Sequence, residues 1–296
     1  MQQSFPEIIG CEVPRIRIVD VGAMLQGEDR YHALVAAGLA EVTGFEPNPE
    51  QFARVTGRPG PYRYLPQFIG TGEPARFHLT RYPGCASLLR PDANLIDLFM
   101  TIGCDTDPHN FQVVRSEPVE TSRLDDLGLE ADFLKLDVQG SELDILRHAT
   151  ATLAGAVVIE SEVEFVPLYR DQPLLGDIQC FLREHGFLLH KLIDVAGRPF
   201  RPLMRDNPVL PISQLLWADA VFVRDFTRLD AYSDDGLLKA ASILDVVYGS
   251  YDLAALLLRE HDKRNGGSLQ PRYLEALPRR ELQFRCLNIM ETIDTM

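Results

Sequence analysis

The sequence predicts an α/β fold: a mostly parallel seven-stranded sheet with helices on both faces, followed by a helical C-terminal extension. Three observations predict it. Apolar strand-like runs alternate with helical stretches over residues 15–224. Two early runs, Ile16 to Val21 and Val42 to Glu46, carry an acid at their C-terminal ends, Asp20 and Glu46, and the first leads into a glycine-bearing loop. After Arg224 the alternation stops and apolar residues recur at helical spacing.

In chain order, the pattern predicts a strand at 15–21, a helix at 28–38 and a strand at 41–46. A helix follows Asn48 to about Val55, then a strand near 62–68. From Gly70 to Asp126 the rhythm breaks. Ala75 to Thr80 and Phe111 to Thr121 read as further strands with a loop and short helix between them, so this stretch is an insertion (about 70–126) within the sheet topology. Asp132 to Val138 is a buried strand, Ser141 to Ala149 a helix and Val157 to Val163 a strand. A helix over 174–185 precedes a strand from Phe187 to Ile193. Gln214 to Arg224 is the last strand, close enough to its neighbour to pair with it as an antiparallel hairpin.

Residues 1–224 therefore form the sheet domain, and residues 225–296 an extension. Leu237, Ala241, Leu244 and Tyr248 share one helical face, as do Leu253, Leu256 and Leu257. Gly266, Gly267 and Ser268 make a turn. Leu282, Cys286, Ile289 and Ile293 form another stripe. Such faces pack onto the main domain or onto a second copy, so a homodimer through the C-terminus is one expected partnership.

The 296 residues are 46% hydrophobic and 24% charged, with a net charge of -14. That surface opposes nucleic acid and anionic membrane, and it leaves a small neutral or cationic substrate. No apolar run is long enough to span a membrane. The first twelve residues lack the basic and apolar regions of a signal peptide. Cys11, Cys85, Cys104, Cys180 and Cys286 are odd in number and widely spaced. They fit neither a disulfide framework nor a structural zinc site, and a reducing cytoplasm is the expected home.

The glycine loop bears on the choice of cofactor. Gly22 and Gly27 have the spacing of a P-loop, but Glu28 stands where its lysine belongs. A dinucleotide loop wants glycine in the middle position, where Met24 stands, so an NAD-dependent enzyme is disfavoured. S-adenosylmethionine carries no phosphate. For it, a bend at Gly22-Ala23 and a close-packing glycine at Gly27 suffice, with Asp20 near its amino end and Glu46, followed by Pro47, on the ribose. An ordinary strand–turn–helix with incidental acids would show the same local spacing.

A second constellation runs from Asp132 to Arg147. Apolar residues lead to Asp137, and Gly140 turns the chain into a helix. Ligands of open α/β sheets sit beyond the carboxyl ends of the strands, so Asp20, Glu46 and Asp137 should converge on one rim. Glu142 falls in the first turn of the helix, where negative charge suits the macrodipole.

Taken together, Asp20-Val21-Gly22-Ala23, Phe45-Glu46-Pro47-Asn48 and the run from Lys135 to Leu143 resemble the FkbM-type S-adenosylmethionine-dependent methyltransferases. Three more segments agree: Cys85 to Leu89, Val119 to Asp125 and Glu162 to Tyr169. The resemblance covers about residues 14–224. It implies a Rossmann-like class I methyltransferase fold and methyl transfer to a hydroxyl of a sugar or other small (secondary) metabolite. Gln139 stands where the family commonly has glutamate, and the segment after Arg224 lies outside the usual pattern. These two departures keep open a non-catalytic cofactor-binding subunit or sensor.

Methyl transfer needs an oxygen held in line with the sulfonium methyl, and a group to take the hydroxyl proton. Asp137 is the leading candidate for base. Glu162 and Glu164 come second, since alternation puts them on one side of their strand, with Glu160 deeper. A magnesium ion held by Asp137 and one of these glutamates is an alternative, although no close ligand cluster is visible. Ser87 lies in the insertion, a candidate lid, and reads as a turn residue. His109 reads as a solvated loop residue, and Tyr169 and Trp217 as core aromatics or stacking surfaces.

Overall fold

The computed structural model describes residues 3–25 and 27–279. The helical stripe expected from Leu282 to Ile293 lies outside the described residues. Among the described residues there are eleven strands: β1 (Ile16–Val21), β2 (Ala40–Phe45), β3 (Tyr62–Leu65), β4 (Phe68–Ile69), β5 (Ala75–Thr80), β6 (Val113–Val119), β7 (Thr121–Ser122), β8 (Phe133–Leu136), β9 (Val158–Glu164), β10 (Phe187–Gly197) and β11 (Leu215–Arg224). Seven form the main sheet in the order β10-β11-β9-β8-β1-β2-β3. The pairs from β9 to β3 are parallel, while β11 runs antiparallel to both β10 and β9. The sheet is thus mixed: its parallel part is long, and its antiparallel edge comes from the hairpin.

Among the described residues ten α-helices accompany it: α1 (Phe5–Ile9), α2 (His32–Ala36), α3 (Pro49–Val55), α4 (Ala93–Ile96), α5 (Glu142–Arg147), α6 (Thr150–Gly155), α7 (Leu175–Glu184), α8 (Asp234–Val246), α9 (Tyr251–Asn265) and α10 (Leu269–Ala276). Side-chain alternation along the strands divides the core in two. Val19, Val21, Leu134, Leu136 and Ile159 face one side and pack with residues of α5, α6 and α7. Ile16, Ile18, Phe133, Val158 and Val221 face the other, together with Leu237, Ile243 and Leu244 of α8 and Leu257 of α9.

The segment after Arg224 is therefore no appendage as far as it is described. Helices α8 to α10 share one hydrophobic core with the amino-terminal halves of the parallel strands, and a boundary at 224/225 would cut it. Polar pins join the layers: Lys239 Nζ donates to Asp132 at 3.0 Å, and Tyr248 Oη to Glu160 at 2.6 Å.

Two expected elements come out differently. The helix foreseen at 28–38 shrinks to the five residues of α2, because residues before it are drawn into tertiary ion pairs. Asp29 binds Arg58, and Arg30 reaches across to β9 and β11. The strand foreseen at 62–68 divides, since β3 joins the main sheet while β4 pairs with β7. Within the insertion β5 pairs antiparallel with β6. Its apolar residues Ile96, Phe99 and Phe111 pack with Tyr169 and Leu216, which holds it over the C-terminal ends of the strands.

Candidate active site

The face of the sheet that packs α8 and α9 changes character along each strand. Ile16 and Ile18 give way to Asp20, Phe133 to Lys135 and Asp137, and Val158 to Glu160, Glu162 and Glu164. Antiparallel β11 reads the same way in reverse, from Val223 and Val221 to Asp219 and Trp217. Register puts Asp20, Lys135 and Glu160 side by side, and Asp219 beside Glu162. Every charged end lies at the carboxyl edge of the parallel strands, beneath the insertion.

Two connected cavities open there. The first is a slot walled by Phe45, Phe68, Ile69, Phe77 and Val138, with Glu46 and Pro47 at its edge. Among the described residues no Lys, Arg or His lines it, so it offers a phosphate no counter-charge. The second is a wide cavity of about 820 Å³ with Glu162, Glu164, Asp219 and Trp217 on its floor and Tyr82, Gly84 and Cys85 overhead. Met24, Gly84, Asp137 and Gln139 border both.

Glu46 is buried, with Oε1 accepting the Asn48 amide hydrogen at 2.8 Å. Burial is the chief cause that pushes its carboxyl up to about 7. The Asn48 amide opposes this, while Asp20 and Asp137 add to it. Asn48 then caps α3 through its own side chain, which fixes the strand-to-helix turn. Gly22 has φ +86°, and a β-carbon there would sit 1.8 Å from the Asp137 carbonyl oxygen. The β1 and β8 ends can meet so closely only with glycine at 22. Ala23 is buried below the slot, its amide donating to Phe45 O at 3.0 Å, and does not line either cavity.

Two expected roles change. Asp20 was expected to face the cofactor's amino end. It is instead buried, accepting from Tyr31 Oη at 2.6 Å and Lys135 Nζ at 3.1 Å, and borders neither cavity. Gly27 was expected to be a close-packing glycine, but a β-carbon there would meet nothing within 4 Å. Its φ of +149° is what favours glycine, and it lines the wide cavity.

Asp137, Glu162 and Glu164 do come together on the floor. Gln139, with φ +61°, stands between them. Its Nε2 donates to Asp137 Oδ1 at 3.1 Å and to Glu162 Oε2, and its Oε1 lies 3.1 Å from Tyr169 Oη. Burial first, and then the charges of Asp137 and Glu164, push the Glu162 carboxyl well up. Burial followed by Glu142 does the same for Glu164. A glutamate at 139 would add another carboxylate to this group, whereas the glutamine supplies two donors. Its amide also fills the gap where a cation bridging Asp137 and Glu162 would go. Among the described residues no group of three or more His, Cys, Asp or Glu side chains is arranged to hold a metal ion.

Glu142 folds back to accept the amide hydrogens of Val138 and Gly140, which shapes the loop carrying Gln139. Ser87 clips the insertion to that loop, its Oγ donating to Gln139 O at 2.7 Å and accepting from Leu89 N at 2.9 Å. Tyr169 is core, while Trp217 reaches the wide cavity with the Arg198 guanidinium 4.7 Å from its ring centroid. His109 lines neither cavity. Sequence reasoning missed Arg30 and Lys135. Lys135 had a usable signal, a lysine alternating with core residues inside a buried strand. Arg30, in a loop, had none.

A family model for the methyltransferase FkbM domain matches residues 20–189, more than half of the chain. The chain belongs to that family. The family implies S-adenosylmethionine as methyl donor, and this FkbM-domain protein has the residues to fit it: a slot free of basic side chains, apolar walls for a purine and the Glu46 carboxylate for a diol. Among solved structures, it is similar to a TehB-like SAM-dependent methyltransferase from Corynebacterium glutamicum, with 14% identity over 75% of this chain and 87% of that one and a TM-score of 0.34. It is also similar to the 16S rRNA (adenine(1408)-N(1))-methyltransferase from Catenulisporales acidiphilia, with 13% identity over 75% and 92% and a TM-score of 0.32. Likenesses this slight carry nothing about substrate or mechanism. No curated protein matches the sequence. Among the described residues no helix is long and apolar enough to cross a membrane.

Proposed function

We propose that this FkbM-domain protein transfers a methyl group from S-adenosylmethionine to a hydroxyl of a sugar or other small metabolite. The observation that carries the reading is the position of Asp137, on the border between the slot and the wide cavity. A base there faces both the donor's reactive end and the acceptor. When bound, the cofactor supplies an electrophilic methyl on a sulfonium. The chain's residues do the rest. Glu46 and the slot fix the nucleoside, and the cavity floor holds the acceptor oxygen in line with the methyl. Asp137 takes the hydroxyl proton as the new C–O bond forms and the C–S bond breaks, its electron pair leaving on sulfur. Gln139, donating to Asp137, orients the carboxylate. The insertion over the cavity excludes water from the reacting atoms.

The C-terminal segment lends no support to a non-catalytic subunit, because α8 to α10 are used in covering the sheet. The slot's lack of cations argues likewise against NAD. Calorimetry with S-adenosylmethionine, S-adenosylhomocysteine and NAD tests the cofactor. Binding of NAD without either sulfur nucleoside would overturn the reading. A screen of hydroxylated metabolites, following formation of S-adenosylhomocysteine, tests the reaction.

A further inference from the structure

Resting on that reading, we infer that the methyl acceptor carries a protonated amine, seated against Glu164 and Glu162 beside Trp217. The wide cavity is lined by more acids than cations. Eight carboxylates line it. Five have ion-pair partners of their own, whereas Asp137 and Glu162 have only the neutral Gln139 amide as a donor. Glu28 faces His32 at 3.5 Å, Asp29 pairs with Arg58, and Glu160, Asp194 and Asp219 all converge on Arg30. Two other cations line the cavity, and the guanidinium of one, Arg198, lies over the Trp217 ring. Lys135 pairs with Asp20, and Arg198 donates to Gly197 O and Val209 O. Asp137, Glu162 and Glu164 remain, and among the described residues no Lys, Arg or His lies within ion-pair distance of them.

Glu164 is the second, independent sign. It is 2% exposed and lines the cavity, and its Oε2 makes no close hydrogen bond, with only the neutral Gln172 amide near enough to favour its ionised form. Leaving a buried carboxylate oxygen unmatched is costly unless a ligand completes it. The donor's own amino group is an unsuitable occupant. Strand β9 lies two places from β1 and β11 three, at about 4.8 Å per place, so this corner is set well apart from the Gly22 bend and belongs to the acceptor. An ammonium on a hydroxylated scaffold, such as an amino sugar or amino cyclitol, would meet the uncompensated acids while presenting its hydroxyl to Asp137.

Trp217 is the protein's single tryptophan and lines this corner, so intrinsic fluorescence reports it directly. The full-length, cofactor-free protein is titrated with trans-2-aminocyclohexanol and with trans-1,2-cyclohexanediol, which differ only in ammonium against hydroxyl. The amine should shift Trp217 emission saturably at concentrations about tenfold lower than the diol, the worth of one charge-assisted hydrogen bond. Glu164→Gln should erase that difference, and Glu162→Gln carries the same expectation should the first variant misfold. Equal titration by the two compounds, or an amine preference that survives the substitutions, overturns the inference. So does magnesium chloride alone producing a saturable shift that blocks the amine, because the acids would then hold a metal. Calorimetry with S-adenosylhomocysteine is run separately. Its failure would remove the methyltransferase reading while leaving the amine titration interpretable.

Discussion

Lowering the pH below 7 should loosen cofactor binding through Glu46. Its carboxyl is pushed up to about 7 chiefly by burial, so it changes charge within the working range. A ribose diol donates hydrogen bonds, which favour the ionised acceptor. Between pH 8 and pH 6 the ionised fraction falls from roughly nine-tenths to one-tenth, and the apparent affinity should fall about tenfold with it. The sign for stability is opposite. In the folded chain Glu46 holds its proton more firmly than in the unfolded chain. Its stabilising contribution is complete at low pH and is lost as the pH rises from the ordinary carboxylate range through about 7. A rise from 4.5 to about 7 corresponds to roughly 3 kcal/mol, which the cofactor-free protein forgoes above neutrality and the bound diol offsets. The assay is calorimetric titration with S-adenosylhomocysteine at pH 6, 7 and 8, on the wild type and Glu46→Gln. The glutamine can still accept from Asn48 but cannot titrate, so its affinity should be flat with pH and, at pH 8, weaker by about 1.5–3 kcal/mol. Equal wild-type affinity at pH 6 and pH 8, or a slope that persists in the variant, would refute the assignment of Glu46 to the ribose.

Gly22→Ala should destabilise the fold by about 2–5 kcal/mol in denaturant unfolding. The new methyl adds a left-handed backbone penalty to a collision with the Asp137 carbonyl, and a cost within about 0.5 kcal/mol of zero would mean the strand ends are not so tightly opposed. Asp137→Ala should retain S-adenosylhomocysteine affinity within a few fold yet lose about 10²–10⁴ in methyl-transfer rate, and full activity would remove Asp137 from the role of base. Lys135→Met should cost about 3–5 kcal/mol in chemical denaturation, since it strips buried Asp20 of its cation beside Glu160; an unchanged midpoint would show that Tyr31 alone satisfies Asp20.

The parallel strands and the residues that line the slot were legible because both are local. Ile16 to Val21 announces a strand by composition, and Glu46 followed by Pro47 and Asn48 announces its end. Gln139 could be flagged from the sequence, but its positive φ and its place between Asp137 and Glu162 depend on the loop that Glu142 shapes from four residues away. Arg30 was invisible for a stronger reason. Its partners Glu160, Asp194 and Asp219 are 130 to 189 residues distant, and only the assembled sheet brings them together. The same long-range pull shortened the helix foreseen at 28–38. Asp20 takes the rim that alternation predicts but is met there by Tyr31 and Lys135, because period-two alternation fixes which face a side chain takes but not which cation waits there.

One feature of the strands links the cover of the sheet to the chemistry. A face that is apolar at the amino ends and charged at the carboxyl ends can be only half covered by apolar helices. Helices α8 and α9 therefore seal the lower half with Leu237, Leu244 and Leu257, and the boundary is made by an amphipathic residue, Tyr248, whose ring packs against Phe133 while its hydroxyl reaches Glu160. Glu160 in turn anchors Arg30, which draws the loop after Gly22 towards β9 and β11. The C-terminal helices thus help hold the glycine loop through Tyr248, Glu160 and Arg30. Their removal would be felt at the cofactor slot as well as in the core, which separates this arrangement from an extension that merely adds a surface.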